Sequence, residues 1–330
     1  MTKLILNPFT KPSFNLALEE YVFKNFKGSD VMMLWRNEPS VIIGKNQNAY
    51  AEIDLDFVSE NNIPVIRRLT GGGAVFHDLG NVNYTFISDY ESGELDSFKA
   101  FAAPVCAFLR NMGLDAEFSG RNDITVGNAK ISGTAKTAAG GRSLAHGTLL
   151  YSADLLRLSK ALKPNLKKLE DKAVRSVKSR VCNISELLEN APSVEEFAQR
   201  LAEFFLKEQD VSLYELSESD VSAVKQIEKE KYGRWQWNFA ASPDFSFKSE
   251  KKFPFGIVDC HLDVSEGKIS DIRFFGDFFS NRDIADLEET LKGIKLERES
   301  LLRRLSDLPV SQFIVGITAD ELINLILGSI

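Results

Sequence analysis

The sequence predicts an α+β protein built on antiparallel sheet, with a second, smaller α+β unit at its C-terminal end. Three observations carry that reading. Strand-like segments follow one another through glycine-containing turns rather than through helical crossovers. Stretches with a helical apolar period stand apart from them. A polar run short of aliphatics, residues 238–254, separates two sets of such segments, which places one unit at residues 1–242 and another at 250–330.

Taken in chain order, Phe14, Ala17, Leu18, Tyr21 and Val22 recur at helical spacing, and Ser13 is expected to cap that helix. "VMMLWRN" and "SVIIGKN" read as short buried strands, and residues 63–87 as extended segments broken by glycine turns. "SFKAFAAPVCAFLRNMG" is helical in period despite Pro104, with Gly113 suited to end it. Gly127-Asn128 joins "DITV" to "AKIS" as a two-residue hairpin turn, and Gly140-Gly141 predicts a second turn and a meander. Ser193 and Glu196 have capping-box spacing ahead of "FAQRLAEFFLKEQ". Beyond the polar run, Val258, Cys260, Leu262 and Val264 alternate onto one face and Glu266-Gly267 turns the chain. Helices are expected near 283–293, 297–306 and 319–328, the last with a Thr318/Glu321 capping box.

Bulk properties narrow the function. Of 330 residues, 44% are hydrophobic and 26% charged, ordinary for a soluble globular chain with a sizeable core. A net charge of −7 argues against wholesale nucleic-acid or membrane binding. Cys106, Cys182 and Cys260 are too few and too far apart for a disulfide framework or a zinc spacing. The start has no hydrophobic signal region and no apolar run approaches membrane-spanning length, so a cytoplasmic protein is expected.

The chemistry-bearing stretch is "RRLTGGGAVFHDLGNVNYTF", residues 67–86. It is neither a GxxxxGK[ST] phosphate loop nor a GxGxxG dinucleotide loop. Three consecutive glycines suit either a hairpin turn or the close approach of a ligand to bare backbone. Arg67 and Arg68 would point to opposite faces of a strand, leaving one guanidinium on the turn's own side, a combination suited to an anion. In the 123–136 hairpin, pairing from the Gly127-Asn128 turn places Asp123, Thr125, Lys130, Ser132, Thr134 and Lys136 on one side, with Ile124, Val126, Ala129, Ile131 and Ala135 on the other. The polar side is either a solvated face with a cross-strand ion pair or a ligand floor with Lys130 as a point charge for phosphate, supplemented by Arg121 and Asn122.

Together these stretches resemble the lipoate–protein ligase A family, relatives of the biotin–protein ligases. "RRLTGGGAVFHDLGNVNYTF" is similar to that family's glycine motif and "GRNDITVGNAKISGTA" to its lysine motif. "AHGTLLYSADL", "SVKSRVCNISEL", "FNLALEEYVF" and "WQWNF" also fit, in family order over nearly the whole chain. The resemblance implies a mixed, largely antiparallel sheet with flanking helices, related to class II synthetases, plus a small C-terminal domain that moves as the adenylate forms. It implies an enzyme that turns lipoate and ATP, with Mg2+, into lipoyl-AMP. That enzyme then acylates a lysine of a lipoyl domain, as on 2-oxoacid dehydrogenase E2 subunits or the glycine cleavage H protein. By the same resemblance Arg68 would bind ATP phosphate. Gly73, Ala74, Val75 and Phe76 would hold the nucleotide largely by backbone, with His77 beside it. Lys130 would touch the lipoate carboxyl and the α-phosphate; Gly72 and His146 would lie near the lipoyl chain; Asp123 would sit by the phosphates and help hold magnesium. The sequence departs from the family at Ala145, where many members carry a first histidine before "GT". "GRND" also differs from the "GRGRxG"-type loop of biotin ligases, which disfavours biotin.

Two further features bear on mechanism. Between residues 157 and 180 the chain holds nine cations against Glu170 and Asp171, either a solvated segment or one that closes over the adenylate and steers an acidic acceptor. The rival activity, an ATP-independent octanoyl or lipoyl transferase, would need a cysteine nucleophile. Only Cys182 is near a motif. A non-catalytic binder of lipoate or nucleotide is a second rival, which the presence of both Arg68 and Lys130 disfavours.

Overall fold

The computed structural model describes residues 2–89, 98–162, 181–207, 210–239 and 247–328. The strands are β1 (Thr2–Leu6), β2 (Val31–Trp35), β3 (Ser40–Ile43), β4 (Val65–Arg67), β5 (Val75–His77), β6 (Asn81–Asp89), β7 (Ala116–Ser119), β8 (Asp123–Val126), β9 (Ala129–Ala139), β10 (Arg142–Leu150), β11 (Val211–Leu213), β12 (Phe247–Phe253), β13 (Gly256–Ser265) and β14 (Lys268–Gly276). Eight of them form one sheet in the order β11-β1-β2-β6-β10-β9-β8-β7. It is antiparallel from β2 onward, but β1 runs parallel to both β2 and β11. The helix Pro12–Asn25 supplies the crossover a parallel β1–β2 pair requires. The fold is therefore α+β with a mixed sheet and flanking helices. A separate antiparallel sheet, β12-β13-β14, forms the small C-terminal domain.

Apolar faces dictate the layering. Phe101, Phe108, Phe197 and Phe205, from helices Phe98–Asn111 and Val194–Leu206, cover one face of the main sheet around buried Tyr84. Leu16, Leu18, Val22 and Phe23 of the first helix cover the other face, with Ile42 and Ile66. Those two isoleucines come from a small sheet, β4-β3-β5, that lies in this second layer. The C-terminal domain has its own core, Val258, Cys260, Leu262 and Ile272 packing on Leu287, Leu301 and Ile323. No helix among the described residues is long and apolar enough to cross a membrane.

Several local expectations need correction. Ser13 does not cap its helix: Lys11 is the N-cap, Pro12 takes the first turn and the Ser13 hydroxyl donates to Glu228 at 2.6 Å. The glycine stretch is not a hairpin turn either, because β4 and β5 do not pair with each other; both flank β3. The 123–136 hairpin keeps the predicted pairs Val126–Ala129 and Thr125–Lys130, then slips, so that Ile124 pairs with Ser132 and Asp123 with Gly133. One extra residue in β9 at Ile131 reverses every later side chain. Ser132 and Thr134 turn inward to the Tyr84 hydroxyl, at 3.4 and 3.1 Å, while Gly133 and Ala135 face the second layer. In the C-terminal domain the expected helices lie at Ile284–Leu291, Arg298–Leu305 and Ala319–Leu327, joined by an unanticipated short one at Val310–Phe313. Of the basic segment, residues 163–180 lie outside the described residues.

Candidate active site

Between the main sheet and the small one lies a narrow cavity of about 160 Å³. Arg68, Gly72, Gly73, Ala74, Val75 and His77 line it from the glycine stretch, and Lys130 and His146 from the sheet. The Phe76 side chain is buried in the core beneath. Asp123 stands behind Lys130, its carboxylate 2.7 Å from the ammonium, with both side chains about one-third exposed. The sheet register sets the cavity's length. Gly133, Thr148, Asn83 and Trp35 form one row across β9, β10, β6 and β2. Three strand spacings, about 14 Å, thus separate the lysine end from Trp35, and Leu16 and Ile42 complete the inner wall. The result is a slot with charge and bare backbone at one end and apolar walls at the other.

The two arginines have divided roles. Arg68 turns onto the glycine stretch: its Nη2 donates to the carbonyls of Gly71 and Gly73 at 2.6 and 2.9 Å, and its Nε to the Thr70 hydroxyl at 2.9 Å. Arg67 points the opposite way. It donates to the carbonyls of Gly44, Lys45 and Gln47, and to those of Trp237 and Asn238. Burial pulls both guanidinium pKa values down to about 10, which leaves them cationic at neutral pH. The backbone is packed so closely here that only glycine serves. A Cβ on Gly44 would lie 2.0 Å from the Gly72 carbonyl oxygen, and Gly72 itself has φ +91°.

Two hydrogen-bonded chains fix the histidines. Glu19, buried in the first helix, accepts from His146 Nδ1 at 2.9 and 3.0 Å, so the proton sits on Nδ1. His146 Nε2 then accepts from the Thr70 hydroxyl at 2.8 Å, and Thr70 in turn accepts from Arg68. On the other side the Asn37 amide donates to His77 Nδ1 at 3.1 Å. His77 Nε2 therefore donates to Thr148 (2.8 Å), whose hydroxyl donates to Asn83 (2.7 Å). Glu19, Asn37 and Thr70 escaped the sequence reading. For Glu19 a signal existed: it stands three residues after Leu16 and four before Phe23, a carboxylate on a buried stripe. Ala145 is buried in the core on the opposite face from His146, so a histidine there would not enter this cavity.

Burial, with Arg68 and His146 nearby, depresses the His77 pKa from 6.5 to about 3. Between those values the unfolded chain binds a proton that the native state refuses, so stability is lost as pH falls through this window. The loss from this group is about 1.4 kcal/mol per pH unit. Denaturation midpoints at pH 7 and pH 5 should differ less in His77→Gln than in the unsubstituted protein; equal differences would place the titration elsewhere.

Comparison with known proteins gives the family. Residues 11–206 match the lipoyl protein ligase A/B catalytic domain and residues 242–326 the bacterial lipoate protein ligase C-terminus. The chain belongs to the lipoyl protein ligase A/B family. It is 42% identical over 319 residues to the lipoate-protein ligase LplJ of Bacillus subtilis, covering 96% of each chain. Among solved structures, LipL1 of P. falciparum in complex with lipoate superposes with a TM-score of 0.81 at 28% identity, over 99% of this chain and all of that one. A lipoate-protein ligase A bound with ATP superposes with a TM-score of 0.63 at 30% identity, over 72% of this chain and 98% of that one.

The family's transferase-like alternative finds no support at the cysteines. None of the three is in a disulfide, and Cys106 and Cys260 are buried. The Cys182 thiol is pushed up by burial and by Glu186, the reverse of what a thiolate nucleophile needs.

Proposed function

We propose that this ligase binds ATP across the glycine turn and lipoate along the slot, and that Lys130 joins the two. The supporting observation is that the turn and the Lys130 ammonium open into one cavity whose far end is apolar. The lipoate carboxylate attacks the α-phosphorus, the bond to the β-phosphate breaks and pyrophosphate leaves. An ammonium between two anions lowers the cost of their approach and stabilises the charge that develops. Lys130 exchanges its Asp123 partner for substrate oxygens in this step. The mixed anhydride carbonyl is then attacked by the acceptor lysine's neutral amine, AMP departs and a proton is released. The acceptors we assign are lipoyl domains of E2 subunits and H protein.

Arg68 binds ATP phosphate and also braces the turn, so that the backbone of Gly73, Ala74, Val75 and Phe76 faces the nucleotide, with His77 beside it. Gly72 and His146, the latter oriented by Glu19, flank the lipoyl chain. Among the described residues no cluster of three or more His, Cys, Asp or Glu could hold a metal. Asp123 alone fits a magnesium that arrives with the triphosphate, since Mg2+ binds through one or two carboxylates plus phosphates. Bound there, it would neutralise phosphate charge. The catalytic unit on this reading is 1–242 and the accessory unit 250–330, supported by the separate C-terminal core.

Pyrophosphate release tests the proposal. It should require both ATP and lipoate, persist as a single burst without a lipoyl domain, become continuous when one is added, and survive Cys182→Ser. Lipoyl transfer without ATP would overturn it.

A further inference from the structure

We infer that Arg121 is a polyphosphate-binding residue held in reserve by the C-terminal domain, whose Phe279 must leave the guanidinium face before ATP or pyrophosphate can use it. The inference rests on the nucleotide reading above and adds a residue and a competition to it.

The cations already at the turn are largely committed. Arg68 donates to the carbonyls of Gly71 and Gly73, and Lys130 is paired with Asp123. A triphosphate needs more positive charge than these leave. Arg121 adjoins Asn122, which lines the cavity, and its buried Nε has no hydrogen-bond partner among the described residues. Asp123 and the Asp277 carboxylate both act on its charge, and its direct contacts come from the small domain. Nη2 donates to the Asp277 carbonyl at 3.0 Å, and the guanidinium lies 4.5 Å from the centre of the Phe279 ring.

Phe279 also covers the turn. A Cβ on Gly72 would lie 3.3 Å from the ring, and one on Gly71 would strike the Phe278 carbonyl at 2.3 Å. The ring also packs on Phe98, with centroids 5.1 Å apart. One aromatic side chain of the small domain therefore shields both the Arg121 guanidinium and the bare backbone. The loop carrying it is held by contacts that can break: the Lys45–Asp283 ion pair at 3.2 Å, the Gly276 N–H to the Asn46 carbonyl at 2.8 Å, and Asn46 to Ser280 at 3.3 Å. A triphosphate offers Arg121 a charge-assisted, bidentate partner in place of a ring face and a carbonyl, and carries more negative charge than the Asp277 carboxylate beside it. Polyphosphate binding and the docked loop thus compete for the same group.

Equilibrium binding of pyrophosphate and of ATP with magnesium to the full chain tests this. Phe279→Ala should bind both about threefold tighter or more, because the competitor is gone. Phe279→Leu, which keeps an apolar side chain against Phe98, should move in the same direction. Arg121→Ala should bind about tenfold weaker, and adding Phe279→Ala to it should restore nothing. Unchanged or weaker binding in both Phe279 variants, or the same gain in the Arg121→Ala background, would overturn the inference. If the unsubstituted protein binds neither ATP nor pyrophosphate, the nucleotide reading itself fails. If it binds them and Arg121→Ala binds equally well, only this inference fails.

Discussion

Replacing Lys130 with alanine is expected to slow adenylate formation by about a thousandfold while weakening lipoate binding less than about tenfold. The asymmetry follows from where the charge acts. On the proposed reading the ground-state lipoate lies along the slot lined by Leu16, Trp35 and Ile42, a lining the substitution leaves in place. In the transition state the carboxylate and the α-phosphate share a developing bond and must be brought together against their repulsion, which a fixed ammonium relieves. Asp123 sharpens the test, because alanine at 130 leaves its carboxylate facing incoming phosphate without its 2.7 Å partner. Single-turnover pyrophosphate release and lipoate titration separate the two quantities. Equal losses in both would mean that Lys130 binds substrate and transition state alike and contributes no selective stabilisation.

Arg67→Ala is expected to destabilise the fold by about 4 kcal/mol or more, with Arg67→Lys recovering only part. One side chain here serves five carbonyls: Gly44, Lys45 and Gln47 from the loop after β3, and Trp237 and Asn238 near the end of the larger domain. Alanine would strand those acceptors where water has little access. A lysine ammonium keeps the charge but cannot reach both groups of carbonyls with a planar fork. The consequence extends to the site. The Gly44 loop backs Gly72 and carries Lys45 and Asn46, which hold the C-terminal domain. Denaturant unfolding gives the stability loss, and ATP binding measured below the transition should fall with it. A variant with native stability would show that the carbonyls find other partners.

Much of the local structure was legible in the chain. The Thr318/Glu321 and Ser193/Glu196 spacings appear as helix caps, because a side chain three residues from a backbone donor needs no tertiary help. Gly127, Gly140, Gly141 and Gly267 have positive φ, which the missing Cβ permits, whereas Glu266 adopts φ +52° against its type. What local rules could not reach was pairing. β1 was not anticipated, and it pairs in parallel with β11, over two hundred residues away. Likewise the glycine stretch suited a hairpin turn as well as a ligand loop, and β3 came between its two flanking strands.

The sequence by itself determined which residue types stand near the chemistry. Its glycine and lysine motifs, with a histidine in each of two stretches, are properties of composition and spacing and survive any detail of packing. Only the tertiary structure decided their duties. Side-chain direction depends on register, and one extra residue in β9 sent Ser132 and Thr134 to the core and opened Gly133 and Ala135 to the slot. Burial separated two adjacent arginines into a brace for the turn and a clamp for the scaffold. It also brought Glu19 from the first helix onto His146, a contact 127 residues apart along the chain that no local pattern encodes.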